Sequence, residues 1–235
     1  MGANPATAPD NMGIIAFTET DDALAEGETT YTAGEYASRM AGILAGIPSG
    51  MSATYAQLPE LTAVTARDTE ELEEAVNDGE LVLMHDGLVA KIARGVNSLT
   101  TVPEGGSADW SYIKICEGLD LITYYLRTTI QNSYVGRYPN TYSNKCVLVT
   151  AISAFLQELE AQGVLNPGES WCEIDVEAQQ KWMQSQGVDT ASMTEQEIRE
   201  YQTGTWVFLK TGGRIVNAME DFSVVFNNLS DITAT

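Results

Sequence analysis

Apolar residues recur along this chain with two different periods, and the alternation between them predicts a mixture of helices and strands. Gly13 to Phe17 reads as a short strand. Thr32 is a candidate N-cap with Glu35 three residues on. Ala37, Met40, Ala41, Leu44 and Ala45 then form one helical face, which Pro48, Ser49 and Gly50 bring to an end. Residues 61–66, LTAVTA, alternate as a strand, and Thr69 with the acidic turn Glu70, Glu71, Glu73 and Glu74 opens a helix. In LVLMHDGLVAKIARGV the pair Asp86-Gly87 supplies turn chemistry between two apolar runs, which predicts a hairpin.

The later pattern has longer elements. Tyr112 to Cys116 reads as a buried strand. From Gly118 to about Tyr134, Leu119, Ile122, Tyr125, Leu126, Thr129 and Ile130 recur at helical spacing, until VGRYPN breaks the pattern. A second helix follows from Ser143 to Gln162, with Val147, Ile152, Phe155, Leu156 and Leu159 as its core face and Gly163 as its C-cap. The two helices predict a long antiparallel pair. A strand at Trp171 to Val176, a helix at Val176 to Ser185, a capped helix at Thr194 to Tyr201 and strands at Thr205 to Lys210 and Phe222 to Phe226 complete the series. The fold class is α+β: a mixed β-sheet flanked by helices, with the long helix pair.

Charge narrows the partners. Twelve basic residues against 33 acidic ones give a net charge of −21, which opposes nucleic acid and anionic membrane surfaces. Cys116, Cys146 and Cys172 contain no CxxC pair and read as reduced core thiols of a cytoplasmic product. No apolar run has the length of a membrane span, and the N-terminus lacks a signal-peptide layout.

Catalytic chemistry finds no constellation. His85 is the sole histidine, which excludes a two-histidine metal site, and it reads as an exposed turn residue. AGILAGIPSG lacks the lysine of a phosphate loop, and Asp68 to Glu74 lacks the ligand pattern of a calcium loop. Glu220 and Asp221, adjacent on an expected strand, point to opposite faces and cannot flank one glycosidic bond. The reading is therefore no enzyme, no metal and no cofactor. Trp110, Tyr112, Tyr124, Tyr125, Tyr134, Tyr138 and Tyr142 are dense enough to raise a carbohydrate- or envelope-binding module as the alternative, against packing or subunit contact.

The order of segments carries more information than any one of them. YTAGEYASRMAGILAG before SATYAQLPEL, then GLVAKIARGVNSLTT, VGRYPNTYSNKCVLVTAISAFLQELEAQGVL and TGTWVFLKTGGRIVNAMEDFSVVF together resemble the C-terminal part of contractile tail sheath proteins. The sheaths in question are those of phages, prophages and phage-tail-like particles of Gram-positive bacteria. The motif positions are Gly95, Asn97, Gly136, Asn140, Asn144, Gly204, Phe208, Met219 and Asp221.

This resemblance implies a division into 1–12 as a linker or artificial start, 13–102 as the end of the sheath core region, 103–221 as the C-terminal sheath domain and 222–235 as closing strand and arm. It implies a structural subunit that packs around a tail tube in hexameric rings and contracts, with neighbouring subunits and the tube protein as partners. The location implied is a virion or particle tail, assembled in the host cytoplasm. The helix around Val176 to Gln186 corresponds in order to a tube-attachment helix, so Gln180, Lys181 and Gln184 are its tube-facing candidates. Phe222, Val224, Phe226 and Leu229 are the candidates for an arm donated to a neighbour, with an edge strand of the chain's own fold weighed equally for Phe222 to Phe226. Complete sheath proteins are longer, so a chain without their N-terminal arm is expected to be monomeric or weakly associated.

Overall fold

Two clusters of buried apolar side chains organise the chain. The computed structural model in which they are seen describes residues 10–20, 23–102 and 104–226. Around the first cluster, β1 (Ala16–Phe17) pairs in parallel with β5 (Glu80–Leu81), and β2 (Leu24–Glu26) forms a hairpin with β3 (Thr29–Tyr31). A further sheet has the order β4 (Gln57–Leu58), β7 (Ala90–Ile92), β6 (Leu83–His85). Helix α1 (Ala33–Gly46) begins at the predicted cap. Thr32 Oγ1 accepts from Glu35 N at 3.3 Å, and Glu35 Oε2 accepts from Thr32 N at 2.9 Å. The helix buries Tyr36 and Met40 in a cluster with Phe17, Leu24 and Leu58.

The hairpin expected around Asp86-Gly87 forms, with Leu83 opposite Ile92 and His85 opposite Ala90. Its first run serves two sheets, because Leu81 pairs with Phe17 whereas Leu83 pairs with Ile92. Residues 61–66 form no ladder; Ala63 alone bridges to Ala25. Helix α2 (Thr69–Asn77) opens at Thr69 as expected, and Asp68 caps it, its Oδ1 accepting from Glu71 N at 2.9 Å.

The second cluster is built on α3 (Ile113–Thr129), which continues through a π turn at Ile130–Tyr134, and on α4 (Tyr142–Ala161). The expected strand at Tyr112 to Cys116 is the start of α3. Tyr112 bridges Val96 and Ile113 N donates to Gly95 O, but a 3-10 turn at Ala108–Ser111 then feeds the helix. This first turn is buried on several sides, at Ile113, Lys114, Ile115 and Gly118, so it carries no amphipathic period to read. The helices run antiparallel: Gly118 near the start of α3 lies against Val164 beyond the end of α4, and the Tyr125 and Phe155 rings are 5.7 Å apart.

The buried stripe of α4 is Lys145, Leu148, Ile152, Leu156 and Leu159, and Val147 lies off it, 57% exposed. Gly163, at φ 73°, turns the chain out of the helix. Strand β8 (Trp171–Ile174) precedes α5 (Val176–Ser185) and α6 (Glu195–Glu200), and β9 (Leu209–Gly212) returns antiparallel to β8. The strand expected from Thr205 starts later because Trp206 N donates to Thr203 O in a turn where Gly204 has φ 63°. Phe222 to Phe226 is not a strand of this chain's own sheets among the described residues.

Candidate functional site

Helix α5 is fixed by its buried side. Asp175 caps it by accepting from Ala178 N at 2.9 Å, and Gln179 and Met183 face inward. Two of the candidate tube-facing residues turn towards the chain itself. Gln180 and Gln184 both donate to Thr190 Oγ1, at 3.2 and 2.8 Å, and so tie down the loop after the helix. Lys181 is exposed and is the helix's only basic residue.

Beneath the helix, Lys145 is buried without a carboxylate. Its Nζ donates to Gln179 Oε1 at 3.2 Å, Thr203 Oγ1 at 3.1 Å and Tyr201 O at 3.4 Å, and burial pulls its pKa below the ordinary lysine value. Its place on the α4 stripe, at helical spacing from Leu148 and Ile152, is a signal of burial that a hydrophobic pattern skips.

Most motif positions turn out to be joints. Gly95 N donates to Thr54 Oγ1 at 2.9 Å, and a Cβ there would press on Ala53. Buried Asn97 donates to Trp110 O at 2.7 Å and accepts from Leu99 N at 2.9 Å. Asn140 Nδ2 gathers Thr203 Oγ1, Gly204 O and Trp206 O, and Asn144 Nδ2 donates to Pro139 O at 2.8 Å. Gly136 has φ 72°, and Phe208 lies between the Trp182 and Trp206 rings. Met219 is exposed.

The C-terminal segment leaves the body after β9. Ile215 bridges Leu165, Val216 N donates to Val164 O at 3.1 Å, and Asp221 meets Arg94, with Arg94 Nη2 2.6 Å from Asp221 Oδ2. The strand expected at Glu220 and Asp221 does not form; Asp221 is exposed and the Glu220 side chain buried, yet both side chains reach Arg94. Arg94 Nε also lies 3.3 Å from Glu220 Oε2. The Glu220 side chain is 6% exposed, and its contact with Arg94 lacks hydrogen-bond geometry, so charge alone holds it. Burial works against the Arg94 charge and the hydrogen bonds to Asp221 work for it; the net is a guanidinium held more firmly protonated. Phe222, Val224 and Phe226 then stand 74%, 83% and 87% exposed. Leu229 lies outside the described residues. Strands β8 and β9 each have one ladder partner among the described residues.

The aromatic density does not gather into one platform. Tyr124 lines a crevice of about 320 Å³ with Ile47, Met51 and Ile113, whereas Tyr134 and Tyr138 line a groove of about 510 Å³ with Asn140, Leu148 and Val207. Nothing in this arrangement supports the carbohydrate-binding alternative. Burial pushes the Cys116 thiol up to about 11 and raises that of Cys172, so neither has thiolate character. Among the described residues, no group of three or more His, Cys, Asp or Glu side chains is placed to hold a metal ion, and no helix is long and apolar enough to cross a membrane.

Comparison with known proteins agrees with the order of segments. The phage tail sheath C-terminal domain family matches residues 106–227. The tail sheath protein of Clostridium phage phiCD119 is 34% identical over 215 residues, which is 92% of this chain and 59% of that protein. The chain thus spans less than two thirds of that relative. A crystal structure of the sheath tail protein from Desulfitobacterium hafniense has a TM-score of 0.63 at 20% identity, over 73% of this chain and 41% of that one. The sheath tail protein from Listeria innocua has a TM-score of 0.61 at 19% identity, over 87% and 46%. A six-fold symmetrised structure of the anti-feeding prophage baseplate has a TM-score of 0.64 at 15% identity, over 97% and 57%. At these identities the solved structures establish likeness of fold.

Proposed function

The chain belongs to the phage tail sheath family, and from that premise we propose that it forms the tube-side part of a subunit that packs around a tail tube in hexameric rings and contracts. Its work is mechanical: it joins neighbours and contacts the tube, and it catalyses no reaction. The observation that carries this reading is the segment from Phe222 to Phe226, exposed, apolar and, among the described residues, without a partner strand. Residues 222–230, FSVVFNNLS, carry no charge in a chain whose net charge is −21. An uncharged arm brings backbone donors and acceptors to a neighbour without adding to the repulsion between subunits. The β8–β9 pair is the place to receive it, since among the described residues each strand has one ladder partner. Lys181 is the attachment point for an acidic tube surface, while Gln180 and Gln184 serve it indirectly by bracing the loop at Thr190. A six-fold repeat of a weak charge contact multiplies its effect.

Co-sedimentation with purified tail tube tests both surfaces. The chain is expected to pellet with the tube at low salt and to do so less at high salt, because an exposed ion pair is screened over roughly 10 Å. Lys181→Glu is expected to weaken the contact, and removal of residues 222–235 to abolish further growth of the bound layer. Binding that is indifferent to both changes would sink the reading.

A further inference from the structure

Residues 213–221 run as a strap from the second core to the first. Its ties are successive: Ile215 to Leu165, Val216 N to Val164 O, Lys114 Nζ to Val216 O, and Arg94 to Asp221 at the end. Beyond Asp221 the described residues make no hydrogen bond.

We propose that Arg94 is the positioning residue of the arm: its guanidinium grips Asp221 and Glu220 together and fixes the point at which the strap becomes free. The consequence for assembly rests on the arm reading given above, whereas the clasp itself does not. Arg94 is mounted on firm ground, since Ala93 N donates to Val82 O at 2.9 Å and Gly95 is held by Thr54 and by Ile113 N. Both Arg94 terminal nitrogens reach Asp221, Nη1 at 3.3 Å from each carboxylate oxygen and Nη2 at 2.6 Å from Oδ2, a fork that lysine does not reproduce. Glu220 adds a second constraint. Its buried carboxylate has no hydrogen bond, so without Arg94 it becomes an uncompensated buried charge that escapes only by moving to water. Loss of Arg94 therefore peels the strap back to about Asn217. That adds roughly 17 Å of extended tether and lowers the effective concentration of the arm at a receiving sheet of a second copy.

Backbone ¹⁵N relaxation on the isolated chain tests the clasp. In the wild type, order parameters are expected to stay near ~0.85 through Asp221 and to fall below ~0.6 from Phe222. In Arg94→Gln the fall should move back to about Asn217, and in Arg94→Lys to an intermediate position. If Arg94→Gln disturbs amide shifts in the cores, Asp221→Asn is the second variant; it leaves Arg94 beside Glu220, so its fall should move back by only a residue or two, short of Asn217. A wild type already mobile from Asn217, or profiles in Arg94→Gln and Asp221→Asn that superimpose on the wild type, would overturn the proposal. No tube or neighbour is present in this measurement, so a shifted boundary together with failed co-sedimentation would reject the sheath arm while the clasp stood.

Discussion

A buried lysine with neutral partners is the sharpest chemical constraint at the scale of single residues. Lys145 answers to Gln179, Thr203 and the Tyr201 carbonyl, and its removal takes the donor from Gln179 Oε1 and Tyr201 O, while Thr203 Oγ1 keeps Asn140. Lys145→Ala is expected to lower unfolding free energy by about 2–4 kcal/mol in a denaturant titration. The pH dependence has a definite sign. Burial lowers the folded-state pKa, so between that value and the ordinary lysine value the unfolded chain binds more protons, and stability rises with pH. Below both values the penalty is present in full. Tyr36 acts against this at high pH, since burial and the Glu60 carboxylate raise its pKa and stability falls as the unfolded tyrosine ionises. Comparison of the wild type with Lys145→Met at about pH 8 and about pH 10 isolates the Lys145 contribution, while Tyr36 and Lys114, whose pKa burial also lowers, act in both proteins.

Elements depend on a few local contacts each. At the tip of the β6–β7 hairpin, Asp86 Oδ1 accepts from Leu88 N and Val89 N while Oδ2 meets Lys91 Nζ at 2.8 Å. The Lys91 hydrogen bond and the two amides hold its carboxyl well below the usual carboxylate range. That depression means the contribution is present above the ordinary carboxylate value and is lost as pH falls through the folded-state value. Asp86→Ala should speed hydrogen exchange at the His85–Ala90 pair and leave the Leu83–Ile92 pair protected; unchanged exchange at the tip would show the turn to be held by its backbone alone. Gly50 joins two elements distant in sequence. A Cβ there would collide with the Gln162 carbonyl, so Gly50→Ala is expected to cost about 1–3 kcal/mol by thermal or denaturant unfolding. Helix starts were legible from sequence where the cap is local, as at Thr32 and Thr194, and misread at Tyr112, where burial on several sides erases the helical period.

For the whole molecule, charge opposes the assembly proposed for the arm. With a net charge of −21, subunits repel at low ionic strength. The isolated chain is expected to sediment as a monomer or weak oligomer at low salt and to shift towards larger species as salt rises. The proposed contact of Lys181 with an acidic tube is expected to weaken under the same change. Opposite salt slopes in sedimentation velocity and in tube co-sedimentation are thus the signature of the two surfaces, and parallel slopes would contradict their separation.

The sequence by itself determined what is local: the capping boxes, the Asp86-Gly87 hairpin, the antiparallel helix pair and, through the order of its segments, the family. The caps and the hairpin turn rest on neighbours within a turn or two of chain, the helix pair on two long periodic runs, and the family on the order of all the segments. Tertiary structure decided the rest. It made the alternating run at residues 61–66 a single bridge, turned Gln180 and Gln184 towards Thr190, and set Lys145 into a core. It also brought Asp221 to Arg94, 127 positions away, and placed Glu220 beside them. A residue's period along the chain reports which face it occupies, but not what is packed against that face, and contacts made at long range carry no period at all.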